Sequence, residues 1–303
     1  MDALSRVLEV VGYKLPDIEL KLDEPMKNHT SFRIGGPVRA MFFPACTSEL
    51  IELAGLCREF GIAPLVMGNG TNILAGDKHH DIAVVNVSRL GETNGTAEEE
   101  ISAGCGARLA VLAEIACDRG LSGFEFAHGI PGSLGGAITM NAGAYGGEME
   151  QVVHRTKAYN HITGVFTVTG GEHGFAYRRS RFSSSGDIVI ESTIRLQKGD
   201  KKEIRARMDE LIVRRRESQP LDVPSAGSTF KRPKDGYAAP LIEHAGLKVF
   251  SVGGAQVSEK HSGFVVNRGG ASFSDVMSVI DHVQETVLKQ FGIELELEVK
   301  VIV

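Results

Sequence analysis

One stretch of this sequence reads Gly129-Ile130-Pro131-Gly132-Ser133-Leu134-Gly135-Gly136-Ala137, and it opens a glycine-rich segment that continues to Gly147. Without Cβ atoms, several of its backbone N–H groups stay uncovered. Such groups bind phosphate when they are arranged around a concavity. The same glycines could instead serve close packing between chain segments. From the residues alone, the two roles, phosphate binding and close packing, are about equally supported.

Two other glycine pairs were compared with the known nucleotide-binding sequence motifs. Gly68-x-Gly70 is followed by Ile73 where the dinucleotide fingerprint needs a third glycine, and Gly104-x-Gly106 is followed by Leu109 there. The chain has no Gly-Lys dipeptide, so the phosphate loop of P-loop enzymes is absent. Both pairs are interpreted as tight turns.

Around these loops, strand and helix patterns alternate. The apolar patterns predict strands at 39–43, 62–67, 82–87, 99–103, 152–160, 164–169, 187–196 and 293–303. They also predict a helix capped by Thr47 and helices over 107–119 and 201–217. A last helix should be capped by Ser274, with Val276, Ile280, Val283 and Val287 facing inward. The final strand should have one solvent-exposed face, because from Ile293 to Val301 its apolar residues take the odd numbers.

Composition limits the classes of function. The 303 residues predict two or three domains, and 42% hydrophobic with 23% charged residues is typical of a soluble globular protein. A net charge of -5 favours no nucleic acid partner. The four cysteines lack zinc-site spacing, and no apolar run approaches the roughly 20 residues of a membrane span. The start of the chain does not read as a signal peptide. We therefore expect a cytoplasmic protein without metal or membrane association.

Six segments, in order, resemble the UDP-N-acetylenolpyruvoylglucosamine reductase family. They are Asn28-His29-Thr30-Ser31-Phe32-Arg33-Ile34-Gly35-Gly36; Gly68-Asn69-Gly70-Thr71-Asn72-Ile73-Leu74; Gly129 to Gly136 with Met140-Asn141-Ala142-Gly143-Ala144-Tyr145-Gly146; Tyr177-Arg178-Arg179-Ser180-Arg181-Phe182; Ala226-Gly227-Ser228-Thr229-Phe230-Lys231-Arg232-Pro233; and Leu297-Glu298-Val299-Lys300. One segment alone would be modest evidence, but six in the right order are highly specific.

The resemblance implies an α+β fold that holds FAD as in vanillyl-alcohol-oxidase-type flavoproteins. Two α+β flavin lobes would span 1–75 and 76–200, and a C-terminal α+β substrate-binding domain would span 201–303, with the last strand able to pack back on the lobes. It also implies that the glycine loops hold the pyrophosphate and flavin. The residues so assigned are Gly68, Asn69, Gly70, Thr71, Asn72, Gly129, Ile130, Pro131, Gly132, Ser133, Gly135, Gly136, Ala137 and Asn141.

The implied reaction has two halves. NADPH first reduces FAD, and the enolpyruvyl ether of UDP-N-acetylglucosamine then accepts hydride from flavin N5 to give UDP-N-acetylmuramate for peptidoglycan synthesis. The second transition state resembles an enolate, so it needs a cation at the developing charge and a proton donor at the other carbon. By resemblance, Arg178 is the cation, Ser228 the proton donor and Glu298 the third catalytic group. Without the family, they read as a surface arginine, a turn serine and one of three equivalent glutamates.

The resemblance also implies that five residues touch the substrate: Tyr145, Tyr177, Lys231, Gln256 and Asn267. Lys231 is a candidate for lowering the pKa of Ser228. Leu297 and Lys300 depart from the family pattern, which often has Pro and Arg there, and ammonium lacks the planar fork of guanidinium. The spacing after Phe182 indicates the shorter, type II branch, and we expect a monomer. Two alternatives stay open: another flavin oxidoreductase of the same fold, and a non-catalytic nucleotide-sugar-binding protein.

Overall fold

The computed structural model describes residues 1–234 and 236–303, without the side chains of residues 95 and 96. Its helices in this part of the chain are α1 Ala3–Lys14, α2 Thr47–Glu59, α3 Leu109–Asp118, α4 Leu134–Thr139, α5 Lys201–Ser218, α6 Ala238–His244 and α7 Phe273–Phe291. None of the described helices is long and apolar enough to cross a membrane.

The strands are short, and several follow directly on turns. They are β1 Glu19–Pro25, β2 Pro37–Phe43, β3 Leu65–Met67, β4 Ile73–Ala75, β5 His80–Asn86, β6 Thr93–Ala97, β7 Glu100–Gly104, β8 Leu121–Ser122, β9 Gly143–Ala144, β10 Gly147–Glu148, β11 Val153–Asn160, β12 Gly164–Thr169, β13 Ile188–Arg195, β14 Gln197–Lys198, β15 Ser251–Val252, β16 Ala255–Val257, β17 Val265–Asn267 and β18 Lys300–Ile302. A four-stranded sheet has the order β1-β2-β5-β3, with β3 and β5 parallel.

The chain forms two compact units. Unit 1 comprises Met1–Leu22, Ala40–Asn69 and Ile82–Val213, and unit 2 comprises Asp23–Arg39, Gly70–Asp81 and Arg214–Val303. The three-domain division drawn from the family resemblance stays a prediction.

Unit 1 contains a five-stranded antiparallel sheet of order β12-β11-β13-β7-β6. Its apolar core includes the stripe of α3 that the sequence predicts, with Leu109, Leu112 and Ala113 almost fully buried. Removing such apolar side chains from water is the main stabilising contribution to a core.

Unit 2 combines the antiparallel sheet β15-β16-β17, the parallel pair β4 and β18, and helices α6 and α7. Its own core contains the predicted inward face of α7, because Val276, Ile280, Val283 and Val287 are all completely buried. This part of the prediction is confirmed.

Three local predictions are wrong, for identifiable reasons. Helix α2 ends in a Schellman motif, in which Gly61 takes φ 75° and the Ile62 N–H donates to Cys57 O at 2.7 Å. Residue 62 therefore belongs to the helix end, and β3 begins only at Leu65. The cap positions are Cys46 and Ser272 rather than Thr47 and Ser274. Ser272 forms a capping box with Asp275, a signal that was present in the sequence.

The end of the chain is only partly a strand. Leu295 and Val299 are buried while Glu294 and Glu296 are exposed, so the predicted alternation holds in the first part of this segment. It fails at the end of the chain, where Val303 is exposed. A regular strand nevertheless forms only at β18, which pairs with β4. Alternating burial therefore extends further along this segment than continuous strand pairing does.

Candidate active site

The two glycine loops assigned to the cofactor touch each other in unit 1. A Cβ atom placed on Gly68 would lie 2.1 Å from Ser133 Oγ and 2.9 Å from Ser133 Cβ. Next to it, Asn69 Nδ2 donates to Pro131 O at 3.3 Å. Gly68 is therefore required by the close approach of the second loop, since any side chain there would push the loops apart.

The glycines of the second loop divide between the two roles that the sequence left open. The N–H groups of Leu134 and Gly135 donate to Ala107 O and Cys105 O, both at 2.8 Å. A Cβ on Gly135 would meet Cys105 Cβ at 2.9 Å, so this glycine serves close packing. A Cβ on Gly136 would meet only Ser133 Oγ, at 3.4 Å.

Three backbone donors of this loop have no acceptor among the described residues. Within residues 1–234 and 236–303, no hydrogen bond is found for the backbone N–H groups of Gly132, Ser133 or Gly136. Three such donors close together in a tight glycine loop fit the pyrophosphate of a dinucleotide cofactor.

Arg178 lies in a tight turn, also in unit 1. Ala176 and Arg179 exchange backbone hydrogen bonds of 3.0 and 3.1 Å, which makes Arg178 the third residue of the turn. Its φ of 53° is a conformation that turns usually give to glycine. A non-glycine residue held there costs roughly 1–3 kcal/mol, and such strain clusters at functional sites.

The guanidinium of Arg178 is half-buried. Its Nη2 lies 3.5 Å from Gly143 O, and its central carbon lies 5.1 Å from the centre of the Tyr177 ring. Tyr177 and Tyr145 are themselves partly exposed, and Tyr145 also has a positive φ, of 54°. The predicted cation and two predicted substrate contacts thus occur in two neighbouring, strained segments.

Asn141 connects those segments from inside the fold. Its side chain is buried, its Nδ2 donates to Ala176 O at 3.3 Å, and its Oδ1 accepts from the Glu150 N–H at 2.9 Å. Ser180 and Ser183 donate to the Thr139 carbonyl at 3.0 and 2.7 Å. The segment around Arg178 is therefore tied to the end of α4. A cofactor contact of Asn141 stays a prediction.

In unit 2, the segments of Ser228 and Glu298 run side by side. Phe230 and Leu297 face each other in an antiparallel bridge. On either side of it, the Lys231 N–H donates to Glu296 O at 2.8 Å, and the Glu298 N–H donates to Thr229 O at 2.9 Å. The fold thus brings together two segments for which the resemblance predicts catalytic residues.

Asn72 of the first glycine loop holds the other side of Glu298. Its Nδ2 donates to Glu298 O at 3.0 Å, and its own carbonyl accepts from the Lys300 N–H at 2.9 Å. Ser31 adds a further connection, because its Oγ donates to Ser225 O at 2.6 Å and its N–H to Gly70 O at 3.2 Å. Sequence reasoning gave Ser31 no role, although its segment was one of the six.

Lys231 has a different partner from the one hypothesised. Its Nζ lies 3.0 Å from Glu296 Oε2, in a pair that is largely exposed to solvent. No hydrogen bond between Lys231 and Ser228 is found in the described part of the chain. The idea that Lys231 lowers the pKa of Ser228 therefore gains no support.

The last two predicted substrate residues bind to their own chain. Asn267 is buried, its Nδ2 donates to Phe32 O at 3.2 Å, and its Oδ1 accepts from the N–H groups of Gly269 and Ala271. Gln256 Nε2 lies 3.4 Å from Val249 O. Among the described residues, no cluster of His, Cys, Asp or Glu could hold a metal ion.

Comparisons with known proteins show which families this chain resembles. Residues 38–171 match a family model described as an FAD binding domain. Residues 219–302 match the C-terminal domain of UDP-N-acetylenolpyruvoylglucosamine reductase. The fold and these matches define an α+β flavin-dependent oxidoreductase, so the predicted fold class and the FAD cofactor are confirmed.

Full-length relatives narrow this class. UDP-N-acetylenolpyruvoylglucosamine reductase of Caldanaerobacter subterraneus subsp. tengcongensis is 46% identical over 300 residues, covering 97% of this chain and 98% of the relative. The Clostridium perfringens reductase is 41% identical over 302 residues, covering 100% of this chain and 99% of the relative. The crystal structure of the Thermus caldophilus reductase superposes with a TM-score of 0.80 at 32% identity, covering 94% and 99%. The chain belongs to the UDP-N-acetylenolpyruvoylglucosamine reductase family.

Proposed function

We propose that this protein reduces the enolpyruvyl ether of UDP-N-acetylglucosamine to UDP-N-acetylmuramate in peptidoglycan precursor synthesis, with NADPH as the reductant of its FAD. One observation carries the proposal beyond family membership. The Thr229–Lys231 segment pairs with Glu296–Glu298, and Asn72 of a flavin loop donates to Glu298 O. Residues proposed for proton transfer and for cofactor binding therefore share one hydrogen-bonded framework in unit 2.

The glycine loops would hold the cofactor. The N–H groups of Gly132, Ser133 and Gly136 would bind its pyrophosphate, since they have no acceptor within the described chain. FAD, when bound, supplies the hydride chemistry of the reaction. The protein contributes the position of the substrate and the groups that stabilise charge and deliver a proton.

Three side chains would carry those steps. The Arg178 guanidinium binds the substrate carboxylate and stabilises the negative charge that develops there. The Ser228 hydroxyl gives its proton to the carbon that carries the carboxylate, which completes the saturated ether. Glu298 acts together with Arg178 on the enolate, either as the carboxylate or as the protonated carboxylic acid. Tyr145, Tyr177, Lys231, Gln256 and Asn267 are proposed as substrate contacts.

Stopped-flow kinetics on Ser228→Ala test this function. Flavin reduction by NADPH should stay near the wild-type rate, because it needs no proton from Ser228. Flavin reoxidation by the enolpyruvyl substrate should fall by roughly 100- to 10,000-fold, the usual contribution of a positioned acid. Equal slowing of both half-reactions would mean that Ser228 is structural.

A matched control is Ser225→Ala, in the same loop. In the described part of the chain, the hydrogen bond found for the Ser225 hydroxyl is a long one, accepted from the Gly227 N–H at 3.4 Å. Both half-reactions should therefore stay close to wild type in this variant. The monomeric state and the cytoplasmic location stay predictions, which sedimentation and cell fractionation can check.

A further inference from the structure

We propose that Asn141 is a positioning residue: its buried amide fixes the Ala176–Arg179 turn and so aims the Arg178 guanidinium. The proposal rests on the proposed function, in which Arg178 binds the substrate carboxylate. It replaces the direct cofactor contact that the resemblance implies for the Asn141 side chain.

The turn itself needs an external restraint. It is closed by two backbone hydrogen bonds between Ala176 and Arg179, but Arg178 has a φ of 53°. A side chain in that conformation is held only where the surrounding structure determines it. Released from its neighbours, the turn would relax and the guanidinium would lose its direction.

Asn141 supplies that restraint at the closing point of the turn. Its Nδ2 donates to Ala176 O, the same carbonyl that accepts the Arg179 N–H. Its Oδ1 accepts from the Glu150 N–H at 2.9 Å, which sets the orientation of the amide. A flipped amide would place oxygen against the Ala176 carbonyl oxygen and lose both bonds.

The same loop also receives the guanidinium. Arg178 Nη2 points to Gly143 O at 3.5 Å, two residues beyond Asn141. The segment starting at Asn141 thus contacts both the backbone of the turn and the end of the Arg178 side chain. Asn141 has a φ of 43°, which asparagine tolerates better than most residues.

Ligand binding to Asn141→Asp provides the test. Aspartate keeps the acceptor for the Glu150 N–H but turns the donor to Ala176 O into an acceptor. Calorimetry would compare UDP-N-acetylmuramate, which carries the carboxylate, with UDP-N-acetylglucosamine, which lacks it. We expect the Kd to rise by roughly 5- to 150-fold for the first, the loss that follows when a buried hydrogen-bonding group is left unpaired, and to change little for the second. Flavin content should stay normal.

Asn160→Asp is the matched control. Asn160 likewise donates through Nδ2, to Asp187 Oδ1, and accepts a backbone N–H through Oδ1, from Ile162. It belongs to the same unit and the same change removes its donor, so it reports general destabilisation. We expect both ligands to bind the Asn160→Asp variant as they bind the wild type.

A double-mutant cycle separates positioning from a merely structural role. On an Arg178→Gln background, Asn141→Asp should cause no further loss of UDP-N-acetylmuramate affinity, because the group it positions is gone. The proposal would be overturned if the affinity losses of the two single variants multiplied in the double variant. It would also be overturned if Asn141→Asp weakened the binding of both ligands equally or lost its FAD. If the aspartate variant does not fold, Asn141→Gly accepts the positive φ and removes the same donor.

Different results would refute the proposed function and the positioning role of Asn141. A wild-type protein that neither binds UDP-N-acetylmuramate nor turns over the enolpyruvyl ether refutes the proposed function. A wild-type protein that does both, with an Asn141→Asp variant that binds both ligands normally, refutes only the positioning role.

Discussion

Gly68→Ala tests whether contact between the two glycine loops is required for flavin binding. The new Cβ would sit 2.1 Å from Ser133 Oγ, well over an ångström inside van der Waals contact, and 2.9 Å from Ser133 Cβ. Rotation of the Ser133 hydroxyl can relieve the first contact but not the second. Since Ser133 is buried, the loops have to separate.

The expected loss can be estimated from the cost of overpacking. Inserting a methyl group into a well-packed site costs roughly 1–3 kcal/mol. If FAD binds only when the loops have this spacing, that cost appears in the binding free energy. It corresponds to an FAD Kd that is roughly 5- to 150-fold higher.

The assay is titration of the flavin-free protein with FAD, followed by flavin fluorescence, together with the flavin content after purification. Ser133→Gly removes both atoms that clash with the new Cβ, so Gly68→Ala should cost little on that background. Ser133→Ala removes only the hydroxyl and should restore binding partially. Gly12→Ala is the control, because a Cβ there meets nothing within 4 Å. Unchanged FAD affinity in Gly68→Ala, or an equal loss on the Ser133→Gly background, would refute the reasoning.

Two further predictions concern thiols and acid stability. Burial raises the pKa of Cys57 to about 11 and that of Cys105 to about 12, whereas Cys46 is exposed. A thiol reagent at about pH 8 should therefore modify Cys46 rapidly and these two slowly, and fast labelling of a buried thiol would count against this. The hydrogen bond from Arg195 holds the pKa of the Glu100 carboxyl below its ordinary value. The ionised carboxylate therefore stabilises the folded protein above the ordinary glutamate pKa. This stabilisation is lost as the pH falls through the lowered pKa. Denaturant titration should show Glu100→Gln less stable by roughly 1–3 kcal/mol near neutral pH, and by less in acid; a pH-independent difference would contradict the ion pair.

The sequence by itself determined the features that depend on local pattern. The spacing of Val276, Ile280 and Val283 predicts the buried face of α7, because residues three and four apart share one side of a helix. The six ordered segments were enough for the family and its cofactor. They also select Glu298 from three glutamates that the alternating pattern treats alike.

Only the tertiary structure decided how the same residue types divide their work. Gly135 packs against Cys105, while the N–H of its neighbour Gly136 has no acceptor among the described residues, and nothing in the glycine run distinguishes the two. Asn72 donates to Glu298 O across 226 residues, and Asn141 donates to Ala176 O, the carbonyl that closes the strained turn at Arg178. Periodicity and capping rules describe neighbours along the chain. Contacts between distant segments depend on how the whole core packs, so local patterns do not contain them.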